Sequence, residues 1–154
     1  MSKNIHSSAE SKLAIIESLY RYAAGIDLKD PELIGSVFSS DAVSDFRPAA
    51  AKAGFEYPVL AGKETIVSAL LHSLQSVLTT HSVNNPCVTI DGDKAKIDAL
   101  VEAQHVPKSD ASRHYLMKNR YDVELIKRDT KWLIDRITVD NVWRSGDPGV
   151  LAGI

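Results

Sequence analysis

The sequence predicts an α+β fold in which helices come first and a sheet follows. Apolar residues recur at helical spacing in three segments before residue 78, and they alternate with polar residues from residue 79 onward. A hairpin signal, Asp91-Gly92-Asp93, joins the first two long strands that this alternation predicts. Helices that precede strands, rather than alternating with them, are typical of the α+β class.

The composition fits one globular domain over residues 1–154. The chain has 154 residues, of which 44% are hydrophobic and 25% are charged, enough for a real core. The formal net charge is -2 and no basic block stands out, which argues against a nucleic-acid-binding surface. The single cysteine, Cys87, excludes an intrachain disulfide and is expected to be a buried thiol.

We expect a cytoplasmic protein that binds no membrane, no metal and no cofactor. No apolar run approaches the ~20 residues that span a bilayer, and the first residues lack the apolar segment of a signal peptide. No Cys/His spacing is typical of a zinc site. No glycine-rich phosphate loop follows a strand, so a nucleotide-binding fold has no support.

The first helix is predicted to begin at a cap on Ser8 or Ser11, after a disordered start over residues 1–8, and to run to Asp27. One face of this helix is apolar and carries a carboxylate on its last turn. Its residues are Leu13, Ile16, Tyr20, Ala23 and Asp27. Burying a carboxylate is costly unless it is hydrogen-bonded or paired, so Asp27 either serves a pocket or meets solvent at the helix end.

Two more helices and a long loop precede the sheet. Asp30-Pro31 begins a second helix, with Asp as the N-cap and Pro at the first helical position. A short strand is expected at 41–46, and residues 47–61 form a loop with a short strand at 57–60. Loops of this length are often functional, for example as lids over pockets. Gly62-Lys63-Glu64 begins the third helix.

The second half of the chain predicts an antiparallel meander that ends in an irregular tail at residues 144–154. Its long strands are expected at 79–90, 94–106, 113–127 and 132–143. Proline is confined to edges and bulges within sheets, so we expect a bulge at Asn84-Asn85-Pro86.

Four stretches, in this order, resemble the SnoaL-like branch of the NTF2-like superfamily. The first is "IIESLYRYAAGIDLKDPELIGSVFSSDAVSDF" at 15–46, and the second is "LAGKETIVSAL" at 60–70. The third is "TTHSVNNPCVTIDGDKAKIDALVEAQH" at 79–105, and the fourth is "YDVELIKRDTKWLIDRITVDNVWRSGDPGVL" at 121–151. The resemblance implies a cone-shaped α+β barrel, with three N-terminal helices packed in a strongly curved antiparallel sheet around a pocket. It also implies a homodimer that associates through the outer sheet face.

The resemblance assigns the candidate catalytic residues. Asp27 matches the carboxylate at the end of the first helix, and His81 matches the histidine of the third stretch. A carboxylate that binds one imidazole nitrogen fixes the tautomer, so the other nitrogen can act as a base towards a substrate. The alternative is an ordinary core or surface histidine.

Four further residues are candidate substrate-binding groups: Tyr20, His105, Tyr115 and Asn119. Allowing one bulge residue, His81 and His105 fall on the same sheet face, one pair apart along the strands. We expect His105 or Asn119 to stabilise a developing oxyanion or to protonate a leaving hydroxyl. Structural hydrogen bonding for Asn119, and core packing for the two tyrosines, are the alternatives.

We therefore hypothesise a cofactor-free lyase or isomerase, of the dehydratase or cyclase type, that acts on a small hydrophobic cyclic substrate. Two departures restrict the transfer of a specific activity. Ile26 stands where the scytalone-dehydratase pattern has Tyr, and Tyr22 stands where the dehydrochlorinase pattern has Lys. A non-catalytic assembly subunit, like the small subunit of ring-hydroxylating dioxygenases, and a module that binds a hydrophobic ligand are the alternatives.

Overall fold

The computed structural model describes residues 3–152, with side chains from residue 9 onward. Five helices and six strands follow one another along this part of the chain. They are α1 (Lys3–Leu28), α2 (Pro31–Gly35), β1 (Phe38–Asp45), α3 (Arg47–Ala53), β2 (Leu60–Ala61), α4 (Lys63–Leu74), β3 (Val77–Asp91), β4 (Lys94–Pro107), β5 (Tyr115–Arg128), β6 (Lys131–Gly146) and α5 (Gly149–Ala152). None of the helices in this range is long and apolar enough to cross a membrane.

Helix α1 begins earlier than predicted and buries a different face. It starts at Lys3, because no Pro or Gly interrupts the segment before Ser8; residues 1 and 2, also predicted to be disordered, lie outside the described residues. Leu13 and Tyr20, predicted to face the core, are 57% and 44% exposed. The buried stripe is Ile15, Leu19, Tyr22, Ala23 and Ile26. Both stripes have helical spacing, so packing against the sheet decides which of them is buried.

Helix α2 begins as predicted, but the loop after β1 contains a helix that was not predicted. Asp30 Oδ1 accepts a hydrogen bond from the backbone N–H of Leu33 at 3.0 Å, which caps α2. Helix α3 has Pro48 in its first turn, where proline is tolerated, and is rich in alanine. It ends at Gly54, whose φ of +85° is the left-handed conformation that glycine favours.

The six strands form one curved, unclosed sheet in the order β2-β1-β6-β5-β4-β3. The four long strands β3 to β6 pair as an antiparallel meander, as predicted. The sheet is antiparallel as expected, with the exception that β1 pairs with β6 in parallel. The reason is that β1 is followed by helices and by β3 to β5 before the chain returns beside it as β6.

The predicted bulge divides β3. The register of β3 against β4 shifts between Asn84 and Cys87, which reverses the inward and outward alternation of the strand. Cys87 is therefore exposed rather than buried. Before the bulge, His81 pairs with Ala103 and Thr79 pairs with His105. The two histidines thus lie on one face, one pair apart, as the sequence predicts.

The tail is more regular than expected. Strand β6 continues to Gly146, and α5 follows with Val150 buried in the core. The prediction of an irregular tail is wrong at 144–146 and 149–152, and residues 153 and 154 lie outside the described range. Arg113 forms an ion pair with Asp147 that holds this end of the chain beside the start of β5.

Candidate functional site

A cavity of about 260 Å³ opens between the helices and the inner face of the sheet. Aliphatic and aromatic side chains make up most of its lining, which fits a small hydrophobic ligand. Its polar side chains on the sheet are His81, His105, Asn119 and Tyr121. Across the described residues, no group of three His, Cys, Asp or Glu side chains is placed to hold a metal ion.

Asp27 and His81 contact each other as the sequence predicts. His81 Nδ1 lies 2.6 Å from Asp27 Oδ1, and the backbone N–H of His81 donates to Asp27 Oδ2 at 2.8 Å. This double contact fixes both the position and the plane of the carboxylate. His81 lines the cavity with its side chain 6% exposed. Since Asp27 occupies Nδ1, Nε2 is the ring nitrogen that remains for a ligand.

A second layer of hydrogen bonds supports the Asp27 carboxylate. The Thr79 hydroxyl donates to Asp27 Oδ1 at 2.9 Å. Lys29 Nζ in turn donates to the Thr79 hydroxyl oxygen at 3.1 Å and to the carbonyl of Ile26 at 3.2 Å. Because an ammonium group can only donate, Lys29 leaves the Thr79 hydroxyl free to donate to Asp27.

These contacts keep Asp27 ionised. Burial by itself raises the pKa of the Asp27 carboxyl, but the hydrogen bonds from the His81 ring, the His81 backbone and Thr79 outweigh burial and lower that pKa. An ionised Asp27 holds the proton of His81 on Nδ1 and stabilises the imidazolium that forms when Nε2 accepts a proton. The pair therefore has the geometry of a general base whose orientation is fixed.

His105 lies beside His81 but has a different environment. Its Nδ1 lies 3.0 Å from the backbone carbonyl of Tyr115, and a carbonyl only accepts, so Nδ1 carries the proton. Burial lowers the pKa of His105 to about 4, so the ring is neutral and its Nε2 is a hydrogen-bond acceptor. A donor role for His105, towards an oxyanion or a leaving hydroxyl, does not fit this state.

Asn119 is buried and lines the cavity. Its Oδ1 accepts a hydrogen bond from Asn141 Nδ2 at 3.0 Å. Asn141, which sequence reasoning missed, is 2% exposed and lies opposite Asn119 on β6. Its inward position follows from alternation along β6, where Ile137, Val139 and Asn141 are all buried.

The two predicted tyrosines do not line the cavity. Tyr20 is on the exposed face of α1, and Tyr115 is fully buried, with its hydroxyl lacking any partner among the described residues. Tyr22 and Tyr121 line the cavity instead. Alternation along β5 could have found Tyr121, because Tyr121 shares the inward face with Asn119. Tyr22 could be placed in the cavity only if the orientation of α1 about its own axis was known, and the sequence pattern does not determine that orientation.

The predicted loop at 47–61 forms one wall of the cavity. Phe46, Phe55 and Tyr57 line it together with alanines of α3. The rings of Phe46 and Tyr57 pack edge to face, with centroids 5.8 Å apart. Apart from Glu56 and the Tyr57 hydroxyl, the side chains of this wall that line the cavity are apolar.

Comparisons with known proteins agree with this architecture. The profile of the SnoaL-like domain matches residues 7–138, and no curated protein matches the sequence. A solved protein from Kribbella flavida has a TM-score of 0.83 at 25% identity, covering 94% of this chain and 99% of that one. A proposed aromatic ring hydroxylase from Novosphingobium aromaticivorans has a TM-score of 0.79 at 26% identity, covering 93% and 97%.

A proposed scytalone dehydratase, also from Novosphingobium aromaticivorans, has a TM-score of 0.79 at 16% identity, covering 92% of this chain and 91% of that one. At this identity the likeness concerns the fold alone. The fold is the NTF2-like cone, in which a curved sheet and its helices enclose one cavity.

Proposed function

Because this chain belongs to the SnoaL-like domain family, we propose that it is a cofactor-free lyase or isomerase of the dehydratase or cyclase type. Its substrate is a small hydrophobic cyclic molecule held in the cone cavity. The observation that carries the proposal is the 2.6 Å contact between His81 Nδ1 and Asp27 Oδ1 beside an apolar cavity. A histidine oriented by a carboxylate is suited to proton transfer near neutral pH.

The proposed reaction begins with removal of a proton from carbon next to a carbonyl. His81 Nε2 takes the proton, and the C–H electron pair becomes the double bond of an enolate. In an isomerisation, the imidazolium returns the proton to another carbon of the conjugated system. In a dehydration, the enolate re-forms the carbonyl and expels a β-hydroxyl, which leaves as water with the proton from Nε2. His81 regains its starting state in either case.

Hydrogen–deuterium exchange tests the first step without knowledge of the natural substrate. A panel of cyclic ketones is incubated with the protein in deuterated buffer, and loss of the α-proton signal is followed by proton NMR. We expect catalysed exchange with at least one ketone, and its loss in His81→Gln. Exchange that is equally fast without protein, or unchanged in the variant, contradicts the proposal.

Ligand binding separates this proposal from a binding module. A catalyst and a binder both retain a hydrophobic ketone in His81→Gln, but only a catalyst loses exchange. Binding by the wild-type protein without any exchange or turnover therefore favours the binding module.

An assembly role is the second candidate function. The likeness to a proposed aromatic ring hydroxylase favours it. Under this hypothesis the chain acts like the small subunit of a ring-hydroxylating dioxygenase, which serves assembly and not catalysis. Such a subunit has no need of a carboxylate held against an inward histidine. Stable co-purification with a larger subunit of the source cell, together with the absence of exchange, favours this role over catalysis.

We also propose a homodimer formed through the outer sheet face. Leu78 and Trp143 are 59% and 48% exposed on that face, and large exposed apolar side chains on one face are typical of an interface. Light scattering measures the mass in solution. We expect twice the chain mass for the wild type and the chain mass for Trp143→Glu; a monomeric wild type contradicts the proposal.

A cytoplasmic location is the final part of the proposal. Fractionation of the source cell with an antibody to the protein tests it.

A further inference from the structure

The orientation of the Asn119 amide is determined from outside the cavity. Asn141 Nδ2 donates to the backbone carbonyl of Trp143 at 3.0 Å and to Asn119 Oδ1 at 3.0 Å, with the carbonyl of Lys118 at 3.4 Å. A backbone carbonyl can only accept, so the Asn141 atom in this position is the amide nitrogen. Arg144 Nη1 approaches Asn141 Oδ1 at 3.4 Å, which agrees with the same orientation.

This orientation makes Asn119 a hydrogen-bond donor towards the cavity. With Oδ1 engaged by Asn141, the NH₂ group of Asn119 has no hydrogen-bond partner among the described residues. Asn119 is only 3% exposed, yet it lines the cavity. A buried donor without a partner is costly, and a ligand acceptor satisfies it.

Tyr121 places a second donor on the same strand. It is the next inward residue of β5 after Asn119, it lines the cavity, and it too lacks a hydrogen-bond partner within the described part of the chain. Burial raises its pKa, so the hydroxyl keeps its proton. The phenol therefore presents a second donor on the face of β5 that carries Asn119.

The two histidines present acceptors to the same cavity. Both His81 and His105 direct Nδ1 to a fixed acceptor, so each presents an unprotonated Nε2 when neutral. His81 pairs with Ala103, which pairs with Met117 of β5. Two strand spacings, roughly 10 Å, thus separate the backbone of His81 from the donor strand, and the small Ala103 leaves room between them.

We infer that the cavity recognises a cyclic carbonyl compound by its two ends: the Asn119 amide and the Tyr121 hydroxyl bind the carbonyl oxygen, while the histidine pair receives a hydroxyl or an acidic C–H group. Asn141 is the positioning residue that turns the Asn119 NH₂ group towards the ligand. The inference rests on the proposed function and specifies its substrate class. The same two donors stabilise the oxygen of an enolate as charge develops there.

A matched pair of probes tests the donor end. The probes are 2-tetralone, which carries a carbonyl, and tetralin, the same bicyclic skeleton without oxygen. Affinities are measured by NMR titration of the full chain carrying His81→Gln, so that proton transfer does not affect the result. We expect the parent protein to bind 2-tetralone more tightly than tetralin.

Three variants then separate donor chemistry from packing. Asn119→Asp replaces the donor by an acceptor of the same shape, and we expect the 2-tetralone affinity to fall about tenfold or more, with tetralin unchanged. Tyr121→Phe removes only a hydroxyl, and a fall of several-fold is expected. Asn141→Ser removes the hydrogen bond that orients the Asn119 amide, so we expect a weaker preference for 2-tetralone although Asn141 does not contact the ligand. If this variant does not fold, Asn119→Asp and Tyr121→Phe still test the inference.

The NMR signals of the Asn119 side-chain amide give a direct measure of ligand contact at this group. Its proton signals, assigned by their loss in Asn119→Asp, are expected to shift when 2-tetralone is added but not when tetralin is added. The inference is overturned if neither probe binds at millimolar concentration, or if Asn119→Asp and Tyr121→Phe leave the affinity ratio unchanged. If the variants leave the ratio of 2-tetralone to tetralin affinity unchanged while the wild-type protein catalyses α-proton exchange, only this inference is rejected. If the variants lower that ratio but the wild-type protein catalyses no exchange, only the proposed catalysis is rejected.

Discussion

The rings of His81 and His105 lie 6.1 Å apart between centroids and meet at an interplanar angle of 83°. Each directs Nδ1 to an acceptor, but the acceptor of His81 is the Asp27 carboxylate and that of His105 is the Tyr115 backbone carbonyl. Only the carboxylate carries a charge that stabilises an imidazolium. The pair therefore divides into one histidine that can accept a proton and one that stays neutral.

Replacement of Asp27 tests this division. Asp27→Asn preserves the shape but removes the charge and permits the wrong His81 tautomer, as is known for the carboxylate of the serine-protease triad. We expect the rate of α-proton exchange to fall about 10²-fold or more, within the range of general-base contributions. Asp30→Asn is the matched control: Asn caps a helix as well as Asp does, so α2 and the exchange rate should be unaffected. An equal effect in both variants contradicts the role of Asp27.

The neutral state of His105 predicts how stability depends on pH. Its pKa of about 4 in the folded protein lies below the ordinary value of 6.5, so the unfolded chain binds more protons between these values. The contribution of the neutral His105 ring to the stability of the folded protein is therefore complete above pH 6.5 and declines as the pH falls towards 4. We expect His105 to contribute a loss of about 2 kcal/mol in the free energy of unfolding between pH 7 and pH 5.

Urea unfolding at pH 7 and pH 5 measures this contribution. His105→Gln is expected to make the pH dependence shallower even where it lowers stability overall, and the exposed His72→Gln is expected to leave it unchanged. The pH interval lies above the range in which Asp27 titrates, because the pKa of Asp27 is lowered. Identical slopes for the wild type and His105→Gln would show that His105 is not held neutral.

The residues whose positions were predicted correctly have local signals. Asp27 lies in the last turn of α1, and His81 lies in β3 shortly before the proline-marked bulge, so their placement needs only the order of elements and a strand register. The sequence pattern predicts Tyr20 rather than Tyr22 as the inward residue because two stripes on α1 share helical spacing. Packing against Phe38, whose ring lies 5.6 Å from that of Tyr22, selects between them, and no local pattern contains that contact.

The hydrogen bonds of the buried polar groups could not be predicted from the sequence, because they also depend on contacts between separate strands. The tautomer of His105 depends on the Tyr115 carbonyl, and the orientation of the Asn119 amide depends on Asn141, which is 22 residues away along the chain. Pro48 favours a loop in the sequence pattern, but in the structure it occupies the first turn of α3, where proline is tolerated.

The Tyr22 hydroxyl is expected to contribute nothing to stability. It is buried, and it has no hydrogen-bond partner among the described residues. Tyr22→Phe removes an unsatisfied polar group while keeping the ring, so we expect a melting temperature equal to or above that of the wild type. Ser39→Ala is the contrasting control, since the Ser39 hydroxyl donates to Asp135 at 2.7 Å and its removal should cost about 1 kcal/mol. A loss of that size in Tyr22→Phe would mean that the hydroxyl has a partner, such as a bound water.

Gly25 is expected to be indispensable to the approach of α2 to α1. A Cβ atom at Gly25 would lie 2.8 Å from Ile34 Cγ1 and 3.0 Å from the Ile34 backbone nitrogen, and a backbone cannot move aside as a side-chain tip can. We expect Gly25→Ala to lower the free energy of unfolding by about 1–3 kcal/mol. It should also slow exchange more than unfolding explains, because displacement of α1 moves Asp27 relative to His81.

The matched control for Gly25 is Gly35→Ala, at the end of α2. The nearest atom to a Cβ there is Val67 Cγ2 at 3.8 Å, an ordinary contact. Alanine also restricts the unfolded chain, so this variant should be neutral or stabilising by up to about 1 kcal/mol. Chemical unfolding and exchange rates of the two variants, measured side by side, decide the matter. If Gly25→Ala is as stable and as active as Gly35→Ala, then α1 and α2 are not packed at the distance that places the Asp27 carboxylate against His81.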